Sequence, residues 1–259
     1  MSQGSENLSR IQDQFRRQSE AYSKMAVVTD PRLLEQIAAL AGDGARALDV
    51  ACGPGFVTMA LAARFGAVAG IDATDRLIAR ARTEAAARGI ANIAFAMADV
   101  CRMPLRADSF DAVACRFAFH HFSDPRGVLA EMKRVCRPGG RMVIVDMTTS
   151  EDAARADYHN RLERLCDPTH ARAIPISEWQ AMFAEARLRI VSKTDRESSY
   201  ELDAWIEHGG PPPERRAEIV AMMEASLADD RSGLKVRREN GAIRFSHAGV
   251  TWTLEKPAA

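Results

Sequence analysis

The stretch Asp49-Val50-Ala51-Cys52-Gly53-Pro54-Gly55-Phe56-Val57-Thr58 (DVACGPGFVT) joins a short apolar run, Ala45 to Val50, to a helix-like run, Phe56 to Arg64. Closely spaced glycines at such a strand-to-helix junction let the backbone turn tightly and approach a ligand. Outward from this turn the same alternation repeats. Ala67 to Ile71 reads as a strand, Asp75 to Arg88 as a helix ended by Gly89, and Ile93 to Met97 and Phe110 to Cys115 as further strands. Pro125 to Cys136 reads as a helix, and Arg141 to Val145 as a strand opened by the turn RPGG. Strands separated by helical stretches of this length make βαβ units, and therefore a parallel sheet with helices on both faces.

Beyond Asp146 the pattern changes. A polar, irregular segment holding CDPTHARAIP leads to a helix from Ser177 to Ala186 and a strand from Leu188 to Lys193. Two helical stretches follow, Tyr200 to His208 and Glu214 to Ala228, divided by GGPPP, and the final AGVTWTLEK has strand character and is expected to pair at the sheet edge. Ahead of the first strand, residues 5–41 read as two helices separated near Asp30-Pro31. The expected fold is α/β: a Rossmann-like, doubly wound, seven-stranded, mostly parallel sheet with an antiparallel edge strand. Residues 1–40 are expected to form a helical lid and residues 41–259 one domain, with a helical insertion at about 198–245.

With 259 residues, 47% of them apolar, the chain is long enough to bury a sizeable core as one unit. Its 35 basic and 35 acidic residues cancel, so no global field draws it to nucleic acid or to an acidic bilayer. The five cysteines (Cys52, Cys101, Cys115, Cys136, Cys166) include no close pair of the kind zinc ribbons and redox motifs use. They read as reduced thiols, and no metal is expected. The first 15 residues lack the apolar core of a signal peptide, and no apolar run reaches the roughly 18 residues of a membrane span. A cytoplasmic monomer or homodimer is the expectation.

Which ligand the glycines serve depends on the residues around them. Dinucleotide sites use GxGxxG, but here Thr58 stands at the third position and Pro54 removes a backbone donor. Asp49, four residues before Gly53, suits a cationic amino group and would repel a diphosphate. S-adenosylmethionine carries that amino group and no phosphate. Its ribose diol calls for an acid at the end of the second strand, which Asp72 of GIDATD supplies. After the third strand, Asp99 of MADVCRMP is placed to accept from the adenine amino group, with Val100 and Met103 against the ring. For Asp72 a simple helix N-cap is the competing reading, although Thr74 or Asp75 suits that task better.

Four segments, LDVACGPG, GIDAT, MADVCRMPLRADSFDAVACRFAFHHFSDP and RVCRPGGRMVIVD, resemble the successive motifs of class I S-adenosylmethionine-dependent methyltransferases, specifically the type 11 group that includes the ubiquinone and menaquinone C-methyltransferases. The resemblance is strong over about residues 20–150. It implies S-adenosyl-L-methionine as cofactor, with the methionine portion at Gly53 and Gly55, the ribose at Asp72 and the adenine at Asp99; Ala51 and Ala73 complete that set. It also implies a small-molecule methyl acceptor. Arg116 and Phe117, at the tip of the fourth strand, are expected beside the cofactor, Arg116 through the methionine carboxylate and Phe117 through packing. Tyr22, with Phe15, is expected in the lid closing over it.

In-line methyl transfer needs alignment above all, and a base only when the nucleophile must lose a proton. His120 and His121 of CRFAFHHFSDP are the first base candidates, with capping or packing beneath the next helix as the alternative for either. His170, with Arg172, is the second candidate, in a segment expected to overhang the substrate side; a solvated loop explains them equally well. Trp179, Trp205 and Trp252 are assigned to packing. Three rival functions stay open: an NAD-dependent oxidoreductase, a nucleic-acid methyltransferase and a non-catalytic S-adenosylmethionine-binding module. Asp49 and the missing third glycine speak against the first, and neutral charge with no Pro-Pro-aromatic motif after the fourth strand against the second.

Overall fold

A computed structural model describes residues 29–258. Its first helix, α1 (Pro31–Ala41), starts where Asp30 accepts a hydrogen bond from the Arg32 backbone and Pro31 fills the first turn. Such a cap is worth about 1 kcal/mol, and proline there sacrifices no helical hydrogen bond. The βαβ run follows as β1 (Gly44–Val50), α2 (Phe56–Leu61), β2 (Phe65–Asp72), α3 (Asp75–Ala87), β3 (Ile93–Met97) and β4 (Phe110–Arg116). Next come a 3-10 turn (Phe119–His121), α4 (Pro125–Val135) and β5 (Cys136–Thr149). Asp124-Pro125 repeats the Asp-Pro start of α1, with Asp124 accepting from Gly127 N.

The later elements are α5 (Ala153–Cys166), β6 (Ile174–Pro175), α6 (Ile176–Glu185), β7 (Arg189–Glu201), α7 (Leu202–Gly209), α8 (Pro213–Asp229), β8 (Arg237–Glu239) and β9 (Ala242–Glu255). The strands lie in the order β3-β2-β1-β4-β5-β9-β7, with β6 beside β5 and β8 beside β9. β1 to β5 are parallel, and β9 runs antiparallel to both β5 and β7. The expectation for AGVTWTLEK is therefore corrected. That stretch does not close the edge: β9 is inserted between β5 and β7, and β7 takes the edge. Trp252 explains the placement, because it is fully buried and paired with Ile144 on one side and Lys193 on the other, a position that an edge strand cannot offer.

Alternate residues of each central strand feed opposite faces. Val113 and Cys115 of β4 with Met142 and Ile144 of β5 join a cluster with Val128, Leu129 and Met132 of α4 and Trp179 and Phe183 of α6. Ala112, Ala114, Val143 and Val145 face the other way, toward Leu33 and Ile37 of α1 and Val57 and Leu61 of α2. Fully burying each such side chain contributes roughly 1.5–3 kcal/mol. A third cluster lies apart: Leu162 and Cys166 of α5 pack with Leu202, Trp205, Ile219, Met223 and Phe245. Sequence reading treated residues 153–166 as irregular because their apolar stripe is narrow. The helix forms because Asp152 caps it and the α7–α8 pair covers its Leu162 face. Trp179, Trp205 and Trp252 all lie in these cores, as expected. Among the described residues no helix is long and apolar enough to cross a membrane.

Candidate functional site

The strand order reverses between β1 and β4, so the crevice outside their carboxyl ends is the switch point where ligands bind in doubly wound sheets. Backbone strain gathers there. Ala51, just past β1, has φ 54°, and Phe117, just past β4, has φ 52°; Gly53 and Gly55 carry φ 52° and 82° between them. For a residue with a Cβ this left-handed conformation costs about 1–2 kcal/mol.

Asp49 is buried, and its Oδ2 accepts from the Thr58 hydroxyl at 2.6 Å. Burial pushes its carboxyl up to about 7, although the Thr58 hydrogen bond and the Arg116 guanidinium both pull it down. Thr58 thus uses the third-glycine position to hold Asp49. The room that a third glycine would give comes from the strand instead: a Cβ on Gly70 would sit 2.8 Å from Thr58 Oγ1 and 2.7 Å from the Phe95 ring. Gly55 is required for the same kind of reason, since a Cβ there would meet Phe95 Cζ at 2.8 Å.

Asp72 ties the turn to the second strand. Its Oδ2 accepts from Gly53 N at 2.9 Å and its Oδ1 from Thr74 N at 2.8 Å, while burial raises its pKa against those bonds. Thr74, not Asp72, is the N-cap residue of α3, though its side chain makes no capping bond. Ala51 and Ala73 stand half-buried beside these acids, and Asp99 is exposed with its Oδ1 accepting from Cys101 N. Val100 and Met103 are buried in the main core cluster. Arg116 is buried with its guanidinium 5.3 Å from the Phe117 ring centroid. Tyr22 and Phe15 lie outside the described residues.

The histidines separate into distinct roles. His120 Nδ1 lies 2.6 Å from Asp146 Oδ1. Asp146 ends the core run of β5 as Asp49 and Asp72 do in β1 and β2, and it also accepts from the backbone N–H groups of Ala118, Phe119 and Met147. A carboxylate ringed by donors has only acceptor capacity left, so Nδ1 carries the proton and Nε2 the lone pair. Burial depresses His120, but Asp146, with help from Glu163 and Asp167, outweighs it and leaves the pKa raised.

His121 is held by Thr169, its Nδ1 3.3 Å from the carbonyl and 3.1 Å from the hydroxyl, and burial with His120 alongside takes it down to about 4. His170 is buried with Nε2 2.8 Å from Asn160 Oδ1, and burial pushes it down to about 2. The 167–173 segment does fold over His120: Ala171 and Arg172 donate their N–H groups to its carbonyl. Arg172, however, is committed to a two-pronged pair with Glu178. Sequence reading missed Asp146, Asn160 and Thr169. Asp146 was legible as a fourth acid at a strand end; Asn160 and Thr169 carried no signal before the fold brought them to the histidines.

Comparison with known proteins adds likenesses in both sequence and structure. Residues 48–144 match the family described as "Methyltransferase domain". The uncharacterized methyltransferase YcgJ of Bacillus subtilis is 35% identical over 186 residues, which are 72% of this chain and 74% of that protein. Its crystal structure superposes with a TM-score of 0.80 over 88% of this chain and 99% of that one, at 30% identity. A putative methyltransferase from Bacillus halodurans gives 0.82, with 28% identity and coverage of 88% and 98%. The demethylmenaquinone methyltransferase of Deinococcus radiodurans is 41% identical, but over only 42% of this chain and 45% of that protein.

Proposed function

The chain belongs to the class I S-adenosylmethionine-dependent methyltransferases, and from that membership we propose that it methylates a small molecule whose reacting atom, a hydroxyl oxygen or an acidic carbon, must lose a proton to His120. The observation that carries the cofactor half is the pair of buried carboxylates, Asp49 and Asp72, on neighbouring parallel strand ends beside the glycine turn. A carboxylate that burial has pushed up to about 7 fits a ligand that brings its own positive charge. The donor set therefore suits S-adenosylmethionine and is wrong for a diphosphate.

When bound, S-adenosylmethionine supplies a methyl carbon made electrophilic by its sulfonium. Asp49 would neutralise the cofactor's ammonium and Arg116 its carboxylate. Asp72 keeps lone pairs beyond the two it gives to Gly53 N and Thr74 N, and these serve the ribose hydroxyls. Asp99 takes the adenine amino group, and Gly53, Gly55, Ala51, Ala73, Val100 and Phe117 shape the surrounding walls. His120 accepts the acceptor's proton at Nε2, and Asp146 fixes its tautomer and offsets the imidazolium charge, the division of labour of an Asp-His pair. His121 and His170, both held neutral, position the turn and the overlying segment. A tertiary amine or thiolate acceptor would leave this Asp-His pair without work. The neutral net charge supports a small-molecule acceptor over nucleic acid.

The test is thermal stabilisation by S-adenosylhomocysteine, followed by transfer of labelled methyl to a panel of phenols, enols and amines. Stabilisation of the wild type that is lost in Asp72→Asn, with label entering phenols or enols in a His120-dependent way, is the expected result. Absence of any shift in the melting temperature would overturn the cofactor site, and label entering tertiary amines at full rate in His120→Ala would overturn the base.

A further inference from the structure

Beside this site, three buried side chains bring their donor atoms together. His159 and Glu163 lie one turn apart on α5, and His247 faces them from β9. All three are at most 7% exposed. Glu163 Oε1 stands 3.4 Å from His159 Nε2 and 2.8 Å from His247 Nε2, and one ligand atom from each residue lies within 4.8 Å of the other two. Neither contact is aligned as a hydrogen bond: both Nε2 atoms and Oε1 are buried without a hydrogen-bond partner. A carboxylate and two imidazoles taken out of water, in ion-pair reach of one another but with no aligned hydrogen bond at these three atoms, are an arrangement that a folded chain rarely leaves without a further partner.

We propose that His159, Glu163 and His247 form a binding site for one divalent transition-metal ion, of which zinc is the type. Ligand bonds of about 2.0–2.2 Å in tetrahedral array set donor atoms about 3.3 Å apart, and the 3.4 Å and 2.8 Å separations of the two imidazole nitrogens from Glu163 Oε1 bracket that value. Two imidazoles with one carboxylate suit zinc, cobalt or ferrous ion and not magnesium or calcium, which prefer oxygen donors.

The surroundings are those of a ligating histidine. His159 Nδ1 is 3.0 Å from Thr149 Oγ1, so an Nδ1–H donated to the hydroxyl leaves the Nε2 lone pair for the metal. Tyr200 and Trp205 flank the His247 ring at 5.0 and 6.2 Å between centroids. Across such a site the ion would clamp α5 to β9, one strand in from the sheet edge. It requires nothing of the cofactor site.

Chelator-stripped full-length protein is titrated with zinc chloride in competition with a chromophoric chelator, and with magnesium as the contrast. One zinc ion per chain is expected, with no competing effect of millimolar magnesium, a rise in melting temperature on zinc addition, and visible d–d absorption when cobalt replaces zinc. Glu163→Gln and His247→Gln should each weaken binding at least about a hundredfold, and Thr149→Val roughly ten- to a hundredfold, as loss of an outer hydrogen bond does. Near-UV circular dichroism in chelator confirms that each variant is folded, and the wild-type titration stands whatever the variants do. Failure of the wild type to bind zinc stoichiometrically overturns the proposal and leaves a His-Glu-His ion-paired triad. So does a zinc affinity unchanged in both glutamine variants, which would assign the ion to the thiols.

Discussion

His120 and Asp146 face each other across 2.6 Å between Nδ1 and Oδ1, and that carboxylate is fixed by three backbone N–H donors, so the imidazole inherits a rigid mount. Asp146→Asn removes the charge while keeping an acceptor oxygen. The turnover number should fall about 10²–10⁴-fold, the range of lost general-base assistance, with the dissociation constant of S-adenosylhomocysteine within about threefold of wild type. Comparable losses in both quantities would instead indicate a collapsed site.

The same pair sets a pH profile. His120 is charged below its raised pKa, so kcat/KM should climb with pH and level off above an apparent pKa higher than 6.5. Groups facing the ring are Asp146 from β5, Glu163 from α5, Asp167, and the neutral His121 and His170. In Asp146→Asn burial dominates and the midpoint should move down. His170, at about 2, adds no inflection above pH 5, and His170→Gln should leave the midpoint in place.

Asp49 couples stability to pH with the opposite benefit. Its folded pKa near 7 exceeds the ordinary 3.8, so the folded state binds a proton that the unfolded chain has released between those values. The contribution of the carboxyl to stability is complete below about 3.8 and is lost as pH rises through 7. Asp49→Asn should therefore be more stable than wild type at pH 8, on the order of 3–4 kcal/mol in urea melts, and by less than half as much at pH 5. The variant should also lose affinity for S-adenosylhomocysteine. Equal stability at both pH values would contradict the buried-charge account.

Gly55→Ala places a methyl group 2.8 Å from Phe95 Cζ and 3.0 Å from the Ala81 Cβ, at φ 82°. A loss of about 2–4 kcal/mol is expected from strain and overpacking together. Adding Phe95→Leu should return the steric part and not the backbone part. A double-mutant cycle with no coupling between residues 55 and 95 would refute the packing role.

Deleting residues 242–259 removes an interior strand along with Trp252, which is fully buried between β5 and β7. Unlike the trimming of an edge, this should abolish soluble expression, whereas Trp252→Phe should fold with a lowered melting temperature.

Local sequence determined the parallel half of this protein. The core positions of β1 to β4, the Asp-Pro helix starts and the acids Asp49, Asp72 and Asp99 were legible, because period, capping chemistry and strand-end position are properties of neighbours along the chain; β5 was legible only over Arg141 to Val145, while the strand runs from Cys136 to Thr149 and takes in the RPGG stretch that reads as a turn. The family signature lay in the same residues. Only the tertiary structure decided where β9 enters the sheet, that α5 is a helix, and which histidine of three is paired with a carboxylate. Residues 120 and 146, or 163 and 247, share no local pattern; the first two meet because β4 lies beside β5, and the second two because α5 lies against β9. Burial then shifts each ionisable group by its own surroundings, a property of three-dimensional neighbours that the order of residues along the chain does not contain.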